Sequence, residues 1–192
     1  MIFIGKQSSV VAVNNKIYHY RDDFKTMLNV LRVFKHENVP EALKVQKAFT
    51  LLVKERKCQE KTKVLNAIIS RLSQGQTNGE GKKIIDFDVD EGLIYAAFLQ
   101  AYGIDLRKAK MPWVVFLSLL EAIPEDTKLF QVMSIRAQPI PKATKYNRDE
   151  VERLVRLKKL YDLRTEDEKR QDMQNGFKNI AVWMMSNARK ED

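Results

Sequence analysis

Three carboxylates at alternating positions, Asp86, Asp88 and Asp90, have the spacing that most resembles a metal-binding loop. A calcium loop of the EF-hand type also requires a glycine at its sixth position and a glutamate at its twelfth. Counted from Asp86, those positions hold Glu91 and Ala97. The spacing therefore does not predict a calcium site. The acids are better interpreted as caps at a helix start, where unpaired amides and the helix dipole favour negative charge.

The other reactive residue types do not form a pattern that predicts catalysis. Cys58 is the single cysteine and cannot form an internal disulfide, and neither His19 nor His36 has a second ligand at zinc spacing. The glycines of segment 75–81 lack the Lys-Ser/Thr that ends a phosphate-binding loop. The chain has no nucleophile-elbow motif. We therefore expect no catalytic residues, no cofactor, no metal and no enzymatic activity.

The composition is typical of a helix-rich protein with one main core. Hydrophobic residues make up 44% and charged residues 31% of the 192 residues. The apolar runs are far shorter than the ~20 residues that a membrane helix needs, so we expect no membrane contact. The single cysteine fits a reducing, cytoplasmic compartment.

The net charge of +9 is concentrated in the first 81 residues. Such a balance suits an acidic partner or nucleic acid. The basic residues alternate with Glu55 and Glu60, however, and no DNA-reading or RNA-stacking motif accompanies them. Nucleic acid is therefore the less favoured partner.

The periodicity of apolar residues predicts a mainly α protein, a helical bundle with a short N-terminal β-hairpin. The hairpin turns at Asn14 and Asn15, because asparagine tolerates positive φ. Asp22 or Asp23 is expected to cap the first helix. Further helices are predicted at these places: after Pro40, over 64–72, between Asp90 and Gly103, after Pro112, after Asp126, after Asn147 and after Thr165.

The domain organisation follows from one polar segment. Residues 73–81 combine glycines with polar residues, which predicts a flexible linker or loop. This linker would separate an N-terminal region, 1–72, with the hairpin and helices, from a C-terminal helical region, 82–192.

Three short helices with defined ends are predicted between residues 86 and 141. The first ends at Gly103, because only glycine enters the left-handed region without steric cost. The second begins at Pro112, whose missing amide is harmless there, and Pro124 stops it. Asp126 is expected to cap the third helix.

The same segment carries distinctive words: Tyr102-Gly103-Ile104-Asp105-Leu106, then Trp113, then Leu119-Leu120-Glu121. With these words the chain resembles the bacteriophage gene-product-fifteen family, a tail-gene family of phages and prophages that infect Gram-positive bacteria. The likeness extends more weakly to Asp23-Phe24-Lys25 and to the residues 157–161, so it covers most of the chain.

The resemblance implies a non-enzymatic tail assembly chaperone that binds the tape-measure protein during tail morphogenesis. Family genes lie between those for the major tail protein and the tape-measure protein, so the major tail protein is a second possible partner. Self-association into an oligomer or spiral is also implied. Such a protein would act in the cytoplasm of the infected or lysogenic bacterium and be absent from the mature virion.

Two alternatives remain open from the residues themselves. One is a basic nucleic-acid-binding or regulatory protein of a mobile element, supported by the net charge of +9. The other is a structural tail or connector subunit that stays in the virion.

The candidate partner-binding residues are large or charged side chains. Buried cores also favour aromatic side chains, so the aromatic candidates have a core interpretation as well. The candidates are Tyr95, Phe98, Tyr102, Asp105, Trp113, Phe116, Arg136 and Met184.

Overall fold

A computed structural model describes residues 9–36, 38–73 and 83–164. Within these ranges the chain is mainly α, as predicted, with seven helices and one two-stranded antiparallel sheet. The elements are β1 (Val10–Val13), β2 (Lys16–His19), α1 (Phe24–Lys35), α2 (Glu41–Leu52), α3 (Lys61–Leu72), α4 (Glu91–Tyr102), α5 (Trp113–Glu121), α6 (Lys128–Ala137) and α7 (Arg148–Leu160). The expected helix after Thr165 and nearly all of the expected linker lie outside the described residues.

The hairpin forms where the two asparagines predict it. Asn14 and Asn15 have φ of 50° and 59°, and Val13 pairs with Lys16 beside the turn. The far end of β2 also bonds to the chain that follows α2. The His19 carbonyl accepts from the Lys54 amide at 2.9 Å, and the His19 amide donates to Glu55 Oε2 at 2.9 Å.

The chain divides into two compact units, and the domain division expected at 73–81 stays a prediction. The first unit contains residues 1–81 and 90–130, and the second contains 82–89 and 131–192. Residues 90–130 join the first unit because α4 and α5 supply the rings against which α1 packs. The sequence did not reveal this pairing, because it connects residues far apart in the chain.

Two predicted helix ends are confirmed in the first unit. Asp23 caps α1, since its Oδ1 accepts from the Thr26 amide at 2.9 Å. Gly103 follows α4 with φ of 66°, and its amide donates to the Leu99 carbonyl at 3.0 Å. Both ends are set by local chemistry, which a sequence reveals directly.

The expected cap of α6 was placed one residue too early. Thr127, which directly precedes the helix, accepts from the Phe130 amide through Oγ1 at 3.3 Å and donates to the Pro124 carbonyl at 2.7 Å. Thr127 is fully buried, whereas Asp126 is exposed. The Thr127 hydroxyl therefore caps α6, where the sequence predicted the Asp126 carboxylate.

The acids before α4 cap a turn rather than the helix. Asp86 Oδ1 accepts from the amides of Asp88 and Val89, at 2.9 and 3.1 Å. Asp90 occupies the N-cap position of α4, but its side chain makes no capping hydrogen bond. Asp86 thus caps the turn before α4, whereas the sequence predicted that these acids cap the helix itself.

The second unit contains most of α6 and all of α7. Val132 of α6 and Val151 and Leu154 of α7 are buried. Asn147 stands at the N-cap position of α7, as predicted, but its Oδ1 accepts from the Thr144 amide at 2.6 Å instead of from the helix. Across the described residues, no helix is long and apolar enough to cross a bilayer.

Candidate functional site

Five aromatic rings meet between α1, α4 and α5 in the first unit. Phe116 is central: its ring stacks on Phe24, Phe98 and Trp113, with centroid distances of 4.9, 5.1 and 5.6 Å. Tyr102 meets Phe98 edge-on at 5.7 Å. We call these five residues the aromatic cluster. Offset stacks and edge-on contacts are the arrangements that aromatic rings favour.

The aromatic cluster forms the core of the first unit. Phe98 and Phe116 are at most 1% exposed, and Trp113 is also buried. The Tyr102 hydroxyl donates to the carbonyls of Leu119 and Ala122, at 2.8 and 3.0 Å. Four of the candidate partner-binding residues therefore support the fold, and three of them present almost no surface to a partner.

Tyr95 and Asp105 lie at a second place on the first unit. Arg107 joins them, because its guanidinium lies 4.8 Å from the centre of the Tyr95 ring and its Nε lies 3.2 Å from Asp105 Oδ1. The hydrogen bond from Arg107 lowers the pKa of Asp105, and the same carboxylate raises the pKa of Arg107. We call Tyr95, Asp105 and Arg107 the loop cluster. It is a partly exposed group that can contact a partner without opening the core.

Arg136 is buried in the second unit and joins several of its segments by hydrogen bonds. It is only 5% exposed, and its guanidinium donates to two main-chain carbonyls, Tyr161 at 2.7 Å through Nε and Ile84 at 3.0 Å through Nη1. The Arg136 carbonyl in turn accepts from Lys158 Nζ at 3.0 Å. Arg136 thus connects α6, the end of α7 and the segment before the Asp86 turn.

A cavity of about 390 Å³ opens beside Arg136, within the second unit. We call it the cationic pocket. Its cationic lining is Lys83, Arg136, Lys158, Lys159 and Arg164. The other described residues of the lining are Ile140, Val155, Asp162 and Leu163.

Carboxylates accompany two of the pocket's cations. Asp162 Oδ2 lies 2.7 Å from Arg164 Nη2, and Asp86 Oδ2 lies 2.6 Å from Lys83 Nζ. The ammonium of Lys159 has no hydrogen-bond or ion-pair partner in the described part of the chain. Among the described lining residues, positive charge therefore predominates beside aliphatic side chains, and this arrangement suits an anion that carries apolar atoms.

The sequence indicated Arg136 but missed the pocket around it. Its lining comes from three separate stretches, near residue 83, at 136–140 and at 155–164. Ile140 between two prolines and Lys158-Lys159 after Val155 were the available signals. Met184, the last candidate residue, lies outside the described residues.

The described residues contain no group of three or more His, Cys, Asp or Glu side chains that could hold a metal ion. Cys58 is half-buried, and its Sγ lies 3.5 Å from the Tyr18 hydroxyl. This hydrogen bond raises the pKa of Tyr18.

The comparison with protein families identifies the class. The family model described as Bacteriophage Gp15 protein matches residues 6–163. Because this match covers most of the chain, the chain belongs to the bacteriophage Gp15 family, as its sequence words predicted. No match was found among curated proteins or among solved structures. The aromatic cluster, the loop cluster and Arg136 all lie inside the matched residues.

Proposed function

We propose that this phage protein is a non-enzymatic tail assembly chaperone that binds the tape-measure protein during tail morphogenesis. Membership of the Gp15 family over residues 6–163 is the observation that carries the proposal. It acts in the host cytoplasm before the tail is complete and is absent from the mature virion. The major tail protein is a second partner in this proposal.

The exposed aliphatic side chains support a binding role. Ile140 and Leu160 in the second unit are 53% and 71% exposed, and Ile17 and Leu43 in the first unit are also exposed. Exposed apolar groups, when they gather into a patch, mark surfaces that bind other proteins. A long amphipathic partner helix would cover such groups by laying its apolar face against them.

Self-association is part of the proposal, because a chaperone that coats a long partner must repeat along it. A head-to-tail contact between identical copies generates an open spiral. The hairpin offers one contact for this purpose. The exposed Ile17 lies on β2, ahead of His19, where the segment after α2 bonds to the strand.

Co-expression with the tape-measure protein of the same phage tests the proposal. We expect the tape-measure protein to become soluble and to co-purify with the chaperone. An unrelated helical protein of similar size, expressed in its place, should leave the tape-measure protein insoluble. Insolubility with the chaperone present, together with no recovered complex, would contradict the proposal.

A basic nucleic-acid-binding protein is the second candidate, favoured by the net charge of +9. Binding to duplex DNA at micromolar or tighter Kd, weakening steeply with salt, would support it. A structural tail or connector subunit is distinguished by mass spectrometry of purified virions. A chaperone is missing from the particles, whereas a structural subunit is retained.

A further inference from the structure

We propose that the cationic pocket is a docking site for an acidic amphipathic helix of a partner protein. One large apolar side chain of that helix would enter the pocket, and neighbouring Asp or Glu side chains would meet its cations. The inference rests on the proposed function, which supplies a helical partner, and it names the site and the chemistry of the bound segment.

The positive charge of the pocket favours a negatively charged partner. Among its described lining residues are five cationic side chains and one carboxylate, and that carboxylate, Asp162, pairs with Arg164. Lys159 stands at the exposed side without a partner among the described residues. A carboxylate brought beside these cations is attracted to them, and it also relieves their mutual repulsion.

The aliphatic lining selects a partner with apolar atoms. Val155 is 44% exposed and lies in the pocket with Ile140 and Leu163. A cavity of about 390 Å³ has the volume of roughly a dozen water molecules at ~30 Å³ each, so a lone phosphate or carboxylate would leave most of it filled with water. A large aliphatic or aromatic side chain would occupy more of the cavity than such an anion and would remove part of the aliphatic lining from water.

The spacing along α7 favours a helix as the bound form. Lys158 and Lys159 follow Val155 by three and four residues, so they share one face of the helix with it. A partner helix repeats this pattern with opposite charge. Its apolar residue stands three or four positions from an Asp or Glu, which places both groups over the pocket at once.

Nucleic acid fits the pocket less well. Single-stranded nucleic acid is held by aromatic side chains on which bases stack, and the described residues of this lining include no aromatic side chain. The aliphatic side chains of the lining would contribute nothing to binding a phosphodiester backbone. Charge and apolar surface together therefore favour a protein partner.

Fluorescence anisotropy with two synthetic peptides tests the inference on the full chain. The probe is a labelled 21-residue helix with leucine and glutamate at positions three or four apart, and the comparison peptide has glutamine for every glutamate. We expect the glutamate peptide to bind at least tenfold tighter, and its affinity to fall as salt is added. Equal affinity for the two peptides would overturn the inference.

Variants on one helix locate the binding. Lys159→Glu should weaken binding of the glutamate peptide at least tenfold, and Val155→Ser should weaken both peptides. The matched control is Arg153→Glu, which makes the same charge change at an exposed position of α7 outside the pocket and should alter affinity less than twofold. Circular dichroism checks that each variant is folded, and Lys159→Gln replaces the charge reversal if that variant unfolds. Equal losses at positions 153 and 159 would refute the site.

A pull-down with the tape-measure protein separates this inference from the proposed function. If wild type fails to bind the tape-measure protein, the proposed function fails, and the peptide measurements still decide on the pocket's chemistry. If wild type binds it and Lys159→Glu and Val155→Ser bind equally well, the function stands and the pocket is not its docking site.

A photo-crosslinker at position 155 identifies the occupant. With p-benzoylphenylalanine there in the full chain, we expect crosslinks to an acidic helical segment of the partner. Crosslinks only to residues 165–192 of the same chain would show that the pocket is filled by its own continuation, and the inference would fall. Displacement of the peptide by duplex DNA, with the same loss at Lys159→Glu, would assign the pocket to nucleic acid instead.

Discussion

In the first unit, α1, α4 and α5 meet through stacked rings, whereas in the second unit a buried guanidinium joins α6 to the end of α7 through main-chain carbonyls. Ring stacking depends on shape and on removal from water. The hydrogen bonds of the guanidinium depend on their direction. Its buried charge also requires that the accepting carbonyls stay in place. One chain therefore fixes its helices by two different kinds of chemistry.

The comparison also shows where binding chemistry remains available. Phe98, Trp113 and Phe116, which stand out in the sequence, are buried in the core of the first unit. The second unit, with a polar centre, leaves cations and aliphatic groups around an open pocket. Distinctive residues thus identified the family, while the surface best suited to a partner consists of ordinary lysines and aliphatic residues.

The largest expected effect is on the first unit, from Phe116→Ala. Phe116 contacts three other rings and is 1% exposed, so we expect a loss of about 3–5 kcal/mol in the free energy of unfolding. Chemical denaturation measures it. Val114→Ala, at an exposed position of the same helix, should change stability by no more than about 0.5 kcal/mol. If Phe116→Ala changes the free energy of unfolding only slightly, stacked rings do not hold the first unit together, and the contrast with the guanidinium of the second unit is wrong.

Arg136→Met tests the polar centre of the second unit. Removing the guanidinium leaves buried carbonyls without its two hydrogen bonds, so we expect a loss of about 2–3 kcal/mol. Hydrogen exchange should show the lost protection in α7 first. Arg153→Met, at an exposed position of α7, is the matched control and should leave exchange unchanged. Full protection in Arg136→Met would mean that apolar contacts alone hold this unit.

Thr127→Ala sharpens the comparison at the start of α6. The variant loses a helix cap and a buried hydrogen bond, which we expect to cost about 1–2 kcal/mol. Asp126→Ala alters the neighbouring exposed residue and should cost less than about 0.5 kcal/mol. Thermal unfolding of the two variants decides between them. A larger effect at Asp126 would restore the cap expected from the sequence.

The smallest expected effect is the pH dependence at the loop cluster. Arg107 lowers the pKa of Asp105 from its ordinary value of 3.8, so this carboxylate stabilises the folded state above that value. The contribution is lost as the pH falls through the lowered pKa. Asp105→Asn should therefore lower the Tm slightly at pH 6, and the difference from wild type should vanish toward pH 2. A difference that stays constant over this range would show that the carboxylate acts through its shape and not its charge.

Local signals in the sequence were enough for much of the fold. The Asn14-Asn15 turn, the Asp23 cap and the Gly103 helix end each depend on residues a few positions apart, and all three are confirmed. The Asp126 cap was wrong by one residue, because threonine and aspartate are both good caps and the sequence does not show which one is buried.

Pairings between distant segments were not predictable from these patterns. Periodicity shows that α1 has an apolar face, but not that Phe116, beyond the glycine-rich segment, covers it. The cationic pocket is lined by three stretches that Arg136 brings together. The spacing of residues along the chain does not predict that these stretches lie close to one another. The family words identified the class, and the partner stays a prediction.

The stacking of Phe24 on Phe116 has a consequence during protein synthesis. At ~5–20 residues per second, the ribosome needs roughly 5 to 20 s after making Phe24 before it makes the ring that covers it. During that interval the nascent α1 carries an apolar face without its α5 partner. The first unit therefore completes its core late in translation, and a product released before residue 116 would expose a surface prone to aggregation.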